Sequence, residues 1–254
     1  MADWNESQRS QQGFGSVPRS SGDLAGRVTF DEGLRKYMLG VYNYMASAVL
    51  LTGIVSLLTA RSGLVFSMFG PTGSPNLFGW AMMAGPFILV MWLQIRIFKM
   101  SLIAAQAAYW IYATAVGISI ATIFIAYTPV SIAQTFFATA AAFAGLSLWG
   151  YTTKRDMSGL GTFIVMGIWG LFATMLLNVF VFKSVLADTV MSGIGVLLFA
   201  AFTAYKTQEI KNIYSHVRGN SEMMAKTTIY GALHLYMAFI NMFLFLLRFM
   251  GNRN

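Results

Sequence analysis

The sequence contains no cysteine and few charged residues. Of its 254 residues, 10% are charged and 57% are hydrophobic, and the mean hydropathy is +0.63. The absence of cysteine excludes disulfide bonds, thiolate metal sites and cysteine nucleophiles. Soluble domains carry roughly 25% charged residues, so the scarcity of charge excludes an ordinary soluble domain. An integral membrane protein is predicted instead.

The N-terminal segment lacks the short apolar core of a cleavable signal peptide. Residues 1–36 are polar and rich in Ser, Gly and Gln, which predicts a disordered tail ahead of one transmembrane domain over residues 37–254. The net charge of +8 does not indicate nucleic acid, because the basic residues lie between apolar stretches. They are interpreted as topology signals.

Long apolar stretches occur seven times. A spanning helix needs about 20 mostly apolar residues, and this rule predicts helices over 37–60, 78–98, 102–127, 130–152, 159–182, 188–206 and 229–250. Residues 61–77 contain two glycines and two prolines between positions 70 and 75, which predicts a loop. Strand-like alternation is absent, so the fold class is an all-α integral membrane bundle within the lipid bilayer.

Lysine and arginine are distributed unevenly between the two ends of these spans. With the N-terminus inside, 13 of the 17 basic residues fall on the cytoplasmic side. The positive-inside rule then predicts a cytoplasmic N-terminus and an outside C-terminus.

Few ionisable residues lie within the spans, and each is a functional candidate because burying a charge in a membrane is costly. Arg96 and Lys99 end the second predicted span. Lys206 ends the sixth and has two interpretations. It either extends to the interface and pairs with Glu209, or it is a tethered cation at the mouth of the bundle.

The seventh predicted span carries the remaining polar candidates. His234, Ala238 and Asn241 stand at positions i, i+4 and i+7, so they share one helix face. Asn241 is neutral, and His234 is interpreted either as an interhelical hydrogen-bonding residue or as a group that titrates near neutral pH.

Two enzymatic interpretations were weighed against these patterns. Gly145 and Ser147 with His234 resemble the arrangement of an intramembrane serine protease, but Leu148 follows the serine where such enzymes carry glycine. A retinal protein needs a Schiff-base lysine in the middle of the seventh span, and that span has none.

Small residues recur in the fourth predicted span. Ala138, Ala142 and Gly145, with Ala141, have the spacing that lets helix backbones approach closely. They are interpreted either as the lining of a narrow path or as ordinary helix packing.

Five segments together resemble the Bax inhibitor-1 family, also called the TMBIM family. In chain order they are VYNYMASAVLLTG (41–53), KMSLIAAQAAYWIYATAVGIS (99–119), GYTTKRDMSGLG (150–161), AYKTQEIKNIY (204–214) and GALHLYMAFINMFLFLLRFMG (231–251). The resemblance implies a seven-helix fold in which six helices surround a central C-terminal helix. It also implies a multi-pass bacterial inner-membrane protein whose relatives act as pH-sensitive calcium leak pathways.

This sequence departs from the family pattern at the gate. The family carries a pair of aspartates that bind a cation and sense pH, and the matching positions here are Lys206 and Ala238. A carboxylate pair supplies oxygen ligands for calcium, whereas lysine and alanine supply no acceptor. Arg96 or Lys99 matches the family's basic gate partner.

The sequence therefore predicts a Bax inhibitor-1-like protein that is not an enzyme, has no cofactor and has an altered or lost calcium leak. The alternatives are a non-conducting regulator of membrane proteins or membrane proteolysis and, at low weight, an intramembrane serine hydrolase. Calcium, protons and membrane proteins are the candidate partners besides the bilayer, and nucleic acid is not one.

Overall fold

The computed structural model describes residues 21–71 and 73–252, and it describes side chains from residue 32 onward. Within these ranges the chain is helical and carries seven helices long and apolar enough to cross a membrane. They are α1 (Ser21–Arg61), α2 (Leu77–Arg96), α3 (Leu102–Ala126), α4 (Pro129–Thr152), α5 (Ser158–Phe182), α6 (Val185–Val217) and α7 (Ser221–Met250). The prediction of an all-α seven-helix bundle is confirmed.

Polar caps fix where several helices begin. The Asn76 side chain accepts a hydrogen bond from the Gly79 backbone N–H at 2.9 Å at the start of α2, and Asn220 does the same for Met223 in α7. Such caps satisfy the amide groups that have no partner in the first turn. The ends of the apolar stretches and these capping residues together set the helix boundaries.

The last helix, α7, occupies the centre of the bundle. In its most apolar 18-residue window 72% of the residues are buried, against 17–39% in the other six helices. It packs against α1, α3, α4 and α6, while α2 packs mainly on α3, and α5 mainly on α6. A helix surrounded by protein exposes little side-chain surface to lipid, so the central position of the C-terminal helix follows directly.

The helix α1 begins well before the predicted boundary at residue 37. Residues 21–36 are helical, so the prediction of a disordered tail is wrong for them, and residues 1–20 lie outside the described residues. Leu34 and Tyr37 are buried, and the Tyr37 ring lies 5.5 Å from that of Tyr214 near the end of α6. The early turns of α1 therefore pack against the C-terminal turns of α6.

The helix α6 also runs further than predicted and does not end at Lys206. It continues for three turns to Val217 and stops before Gly219, whose φ of 101° is left-handed. Ile210 and Tyr214 in this extension are buried. Lys206 therefore lies inside a continuous helix. The residues after it do not break the helix, and the apolar side chains among them are buried.

The connection between α1 and α2 is a loop, as predicted. It contains a short 3-10 helix, Leu64–Met68, and one isolated bridge between Phe69 and Pro75. Val65 and Met68 are buried against Ala121 of α3, so this loop closes one end of the bundle.

Candidate functional site

The Lys206 ammonium forms an ion pair with a carboxylate one turn later on the same helix. Its Nζ lies 2.5 Å from the Glu209 Oε2, and the two side chains are 14% and 30% exposed. Residues at i and i+3 of a helix are neighbours on its surface. The pairing with Glu209 that the sequence offered as one interpretation is the one formed.

Aromatic rings flank the Lys206 ammonium. The Nζ lies 5.8 Å from the centre of the Phe202 ring and 5.4 Å from that of Tyr205, which is within cation–π range. Beside these residues a groove of about 410 Å³ opens between α5 and α6, lined in part by Ser158 and Val165. Lys206 thus lines a groove whose wall on α5 carries both hydroxyl and apolar side chains.

His234 lies on the central helix near this charge. It is 5% exposed, its Nδ1 donates to the Tyr230 carbonyl at 2.9 Å, and its ring lies 4.2 Å from the Tyr230 ring. We group Phe202, Tyr205, Lys206 and Glu209 of α6 with Tyr230 and His234 of α7 as one cluster, because these two helices pack against each other.

The other residues on this face of α7 add no free polar group. Ala238 is fully buried, and the Asn241 Nδ2 donates to the Met237 carbonyl of its own helix at 2.8 Å. Lys206 and Ala238 are the two positions that the resemblance predicted as the gate. Together they provide one ammonium, already paired, and one methyl group.

The candidate basic partners of the gate do not join this cluster through an ion pair. Arg96 ends α2 and Lys99 follows it, and both side chains are exposed. In the described residues neither forms a salt bridge, and the Lys206 charge is paired with Glu209 instead. Exposed basic side chains at the end of a spanning helix are typical of residues that reach the lipid headgroups.

The serine protease arrangement is not assembled. The Ser147 Oγ lies 3.2 Å from the Thr207 Oγ1, whereas the His234 Nδ1 is bonded to the Tyr230 carbonyl. Ser147 therefore joins α4 to α6 rather than to the histidine of α7.

The small residues of α4 do not line a path or pack between helices of one chain, so both interpretations offered for them are wrong. Ala138, Ala141, Ala142 and Gly145 are exposed, and a Cβ built on Gly145 would meet nothing within 4 Å. The close approach is made by Gly150, which contacts the backbone of Ala204. The rotation of α4 about its axis turns its hydroxyl residues inward and its small residues outward.

Sequence reasoning missed the aromatic members of the cluster, Phe202, Tyr205 and Tyr230. Phe202 precedes Lys206 by one helical turn and Tyr205 adjoins it in the sequence, which was the available signal. Tyr230 could not be assigned in this way, because its position depends on how α7 packs against α6. Across the described residues no group of three or more His, Asp or Glu side chains is placed to hold a metal ion.

The chain matches a family model described as Inhibitor of apoptosis-promoting Bax1 over residues 34–254. It is 38% identical over 237 residues to the inner membrane protein YbhL of Escherichia coli (strain K12), covering 93% of this chain and 98% of YbhL. It is also 41% identical over 225 residues to the uncharacterized protein RP147 of Rickettsia prowazekii (strain Madrid E), covering 89% and 93% of the two chains. This seven-helix membrane protein belongs to the Bax inhibitor-1 family.

Proposed function

We propose that this chain is a multi-pass inner-membrane protein that has altered or lost the calcium leak which the family resemblance implied. The observation that carries the proposal is the ion pair between Lys206 and Glu209 at the position of the gate. The inner-membrane assignment rests on the similarity to YbhL. We place the N-terminus in the cytoplasm, because 13 of the 17 basic residues then lie on that side.

The residues at this gate do not supply the ligands that calcium needs. Ca²⁺ takes six to eight oxygen ligands, chiefly carboxylates and carbonyls. The one carboxylate of the cluster, Glu209, is engaged by Lys206, and Ala238 offers no oxygen. The charges of Lys206 and Glu209 also largely cancel, so the pair provides no net attraction for a divalent cation.

The experiment compares calcium entry into dye-loaded proteoliposomes at about pH 6 and pH 8, a range in which a coupled carboxylate pair changes its charge. The full chain is compared with the double variant Lys206→Asp with Ala238→Asp and with each single variant. We expect the native chain to be silent or weakly conducting and the double variant to leak with a pH dependence. Each single variant restores one carboxylate only and serves as the matched control.

A strong calcium leak in the native chain, equal to that of the double variant, would contradict the proposal. A leak that appears equally in both single variants would show that the two positions have no joint role. Retention of a single symmetric peak in size-exclusion chromatography shows that each variant is folded.

A regulatory function without ion conduction is the second candidate, and the packing around α7 favours it. Leu233, Leu235 and Ala238 are fully buried along the middle of this helix, and the buried Tyr236 hydroxyl is bonded to Thr52, so these positions offer no free polar group to an ion. A double variant that stays silent at both pH values would favour this candidate over a dismantled channel.

We propose that the chain is not an enzyme. The pairing of Ser147 with Thr207 supports this, because a serine nucleophile needs a base within hydrogen-bonding reach. Labelling of Ser147 by a fluorophosphonate probe, lost in Ser147→Ala and in His234→Ala, would overturn it.

A further inference from the structure

The groove between α5 and α6 opens at the surface of the membrane. The helix α5 begins at Ser158, directly after a turn in which Lys154, Arg155 and Asp156 are exposed. Charged side chains are costly inside hydrocarbon, so this end of α5 lies at the level of the lipid headgroups. Because Ser158 lines the groove, the groove reaches that level too.

Hydrogen bonds from α6 fix the depth of Lys206. The Gln208 Nε2 donates to the Arg155 carbonyl at 2.8 Å, and the Gln208 Oε1 accepts from the Met157 backbone N–H at 3.0 Å. Gln208 is therefore level with the charged turn. Lys206 precedes it by two residues, which is about 3 Å along the helix, so the backbone of Lys206 is also close to the headgroup level.

The groove carries hydrogen-bond donors that the chain does not use. A lysine ammonium has three N–H groups, and Glu209 accepts from one of those of Lys206. In the part of the chain that the structure describes, the hydroxyl groups of Thr162 and Tyr205 form no hydrogen bond, and both residues line the groove. The Tyr205 hydroxyl lies against α5, since a Cβ built on Gly161 would come within 2.7 Å of it. Two N–H groups and two hydroxyl groups are thus available to an acceptor.

Further along α5 the same face becomes apolar. Ser158, Thr162 and Val165 line the groove at positions i, i+4 and i+7. Trp169 and Phe172 continue this face at i+11 and i+14, and both are exposed. The change from hydroxyl to apolar side chains takes about 10 Å and runs toward the membrane centre. A phospholipid has the same order, with its phosphate at the interface and its acyl chains in the hydrocarbon core.

The ion pair beside the groove determines which headgroup fits. The charges of Lys206 and Glu209 largely cancel, so a group with a single negative charge gains little from the pair. A zwitterionic headgroup can instead place its phosphate at Lys206 and its ammonium at Glu209, and each contact is then a charge-assisted hydrogen bond. The Glu209 side chain is 30% exposed and can be reached from outside the bundle.

We infer that this groove binds one phospholipid with a phosphoethanolamine headgroup. Its phosphate accepts hydrogen bonds from Lys206, Thr162 and Tyr205, and its first acyl carbons lie on Val165. The groove of about 410 Å³ has a volume typical of ligand sites, which run from roughly 300 to 1,000 Å³. The inference goes beyond the proposed function and is independent of it, because lipid binding is measured without calcium.

The first measurement counts the lipids that the full chain retains in detergent. The protein is incubated with equal amounts of phosphatidylethanolamine and phosphatidylglycerol that have identical acyl chains, and the complexes are identified by native mass spectrometry. We expect one phosphatidylethanolamine per chain, retained in preference to phosphatidylglycerol. Equal retention of the two lipids, or preference for phosphatidylglycerol, would overturn the inference. Displacement of the lipid by millimolar inorganic phosphate would assign the groove to a free anion and would also overturn it.

A double variant tests the donors without changing the ion pair. Thr162→Val with Tyr205→Phe removes both hydroxyl groups with little change in side-chain size, and it should lower retention of phosphatidylethanolamine by about fivefold or more, the loss expected for two hydrogen bonds. The matched control is Thr174→Val with Tyr112→Phe, which removes the same two groups away from the groove. Unchanged retention in the first variant, or equal losses in both, would overturn the inference. A single symmetric peak in size-exclusion chromatography shows that each variant is folded.

Photo-cross-linking in vesicles locates the bound lipid. Phosphatidylethanolamine with a diazirine near the start of one acyl chain is irradiated with the native chain, and the labelled peptides are identified by mass spectrometry. We expect the label to concentrate on α5 around Val165 and on α6 around Phe202, and to fall in the variant that lacks the two hydroxyl groups. Label spread evenly over the lipid-facing helices would indicate ordinary boundary lipid and would overturn the inference.

Discussion

The hydroxyl groups of Thr52 and Tyr236 lie 2.7 Å apart and join α1 to the centre of α7. Thr52 also donates to the Ala113 carbonyl of α3 at 3.0 Å, and its single hydroxyl hydrogen is then used. Tyr236 is therefore the donor to Thr52. Three helices meet at this contact, where Thr52, Ala113 and Tyr236 are all buried.

Substitution of Tyr236→Phe should lower the free energy of unfolding by about 1–2 kcal/mol, because it removes a buried hydrogen bond while keeping the ring. The measurement is denaturation in detergent followed by circular dichroism. Tyr112→Phe is the matched control, since the Tyr112 ring lies 5.7 Å from that of Tyr236 and its hydroxyl makes no hydrogen bond within the described residues. Equal losses in the two variants would contradict the role given to the hydroxyl.

Substitution of Gly150→Ala should destabilise the bundle by about 1–3 kcal/mol, the cost of forcing an extra carbon into a packed interior. A Cβ at this position would overlap the Ala204 backbone, which cannot move as a side chain can. Gly145→Ala is the control on the same helix. A Cβ there would meet nothing within 4 Å, so this variant should be neutral or slightly stabilising.

Thermal unfolding of the two glycine variants shows whether the loss of stability is specific to the close contact at Gly150 or follows from any alanine substitution for glycine in α4. If both variants shift the midpoint downward alike, the contact between α4 and α6 does not depend on Gly150.

Substitution of Glu209→Gln should lower the free energy of unfolding by about 1–2 kcal/mol, because it leaves the largely buried Lys206 ammonium without its counter-charge. The double variant Lys206→Met with Glu209→Gln removes both charges and should recover most of that loss. Chemical denaturation of both variants in detergent provides the measurement. Failure of the double variant to recover would show that the ion pair is not the source of the effect.

The turn between α4 and α5 should contribute stability that depends on pH. The Asp156 carboxylate accepts hydrogen bonds from the backbone N–H of Ser158 at 2.9 Å and from its hydroxyl at 3.0 Å, and these lower the pKa of Asp156 below its usual 3.8. A depressed carboxyl pKa contributes stability that is present above the unfolded pKa and is lost as the pH falls through the folded one.

The midpoint of thermal unfolding should therefore be lower for Asp156→Asn than for the native chain at neutral pH, and the difference should vanish in acid. The difference should begin to shrink as the pH falls past the usual pKa and should be gone below the lowered one. Ser158→Ala should reduce it in part, because one of the two hydrogen bonds remains. A difference between Asp156→Asn and native that is constant with pH would contradict this account.

The structure differs from the sequence prediction at α6 and at α4. The apolar stretch before Lys206 predicted the helix but placed its end eleven residues too early. The later turns are polar on one side only, and they are stabilised by burying Ile210 and Tyr214 in contacts with other helices. In α4 the spacing of small residues suggested packing, yet the structure turns them toward lipid and uses Gly150 instead.

In the candidate site, too, contacts within one helix follow from the sequence, whereas contacts between helices follow from their packing. The ion pair of Lys206 with Glu209 was one of two interpretations that the sequence left open, and it forms because residues at i and i+3 of the continued helix are neighbours. The grouping of Lys206 with Tyr230 and His234 depends on the packing of α6 against α7. The exclusion of Ser147 from a catalytic pair likewise depends on which helix α4 meets at that level.

By itself the sequence determined that this chain is a membrane protein of seven helices, where most of those helices lie, and that it resembles the Bax inhibitor-1 family. These properties follow from local quantities, since a helix in lipid needs only a sufficient run of apolar residues and satisfies its own backbone. Only the tertiary structure decided which face of each helix is buried, that the helix of Lys206 packs against the helix of His234, and that the small residues of α4 face outward. Those outcomes depend on the rotation of each helix against its neighbours, and the pattern along a single helix does not fix that rotation.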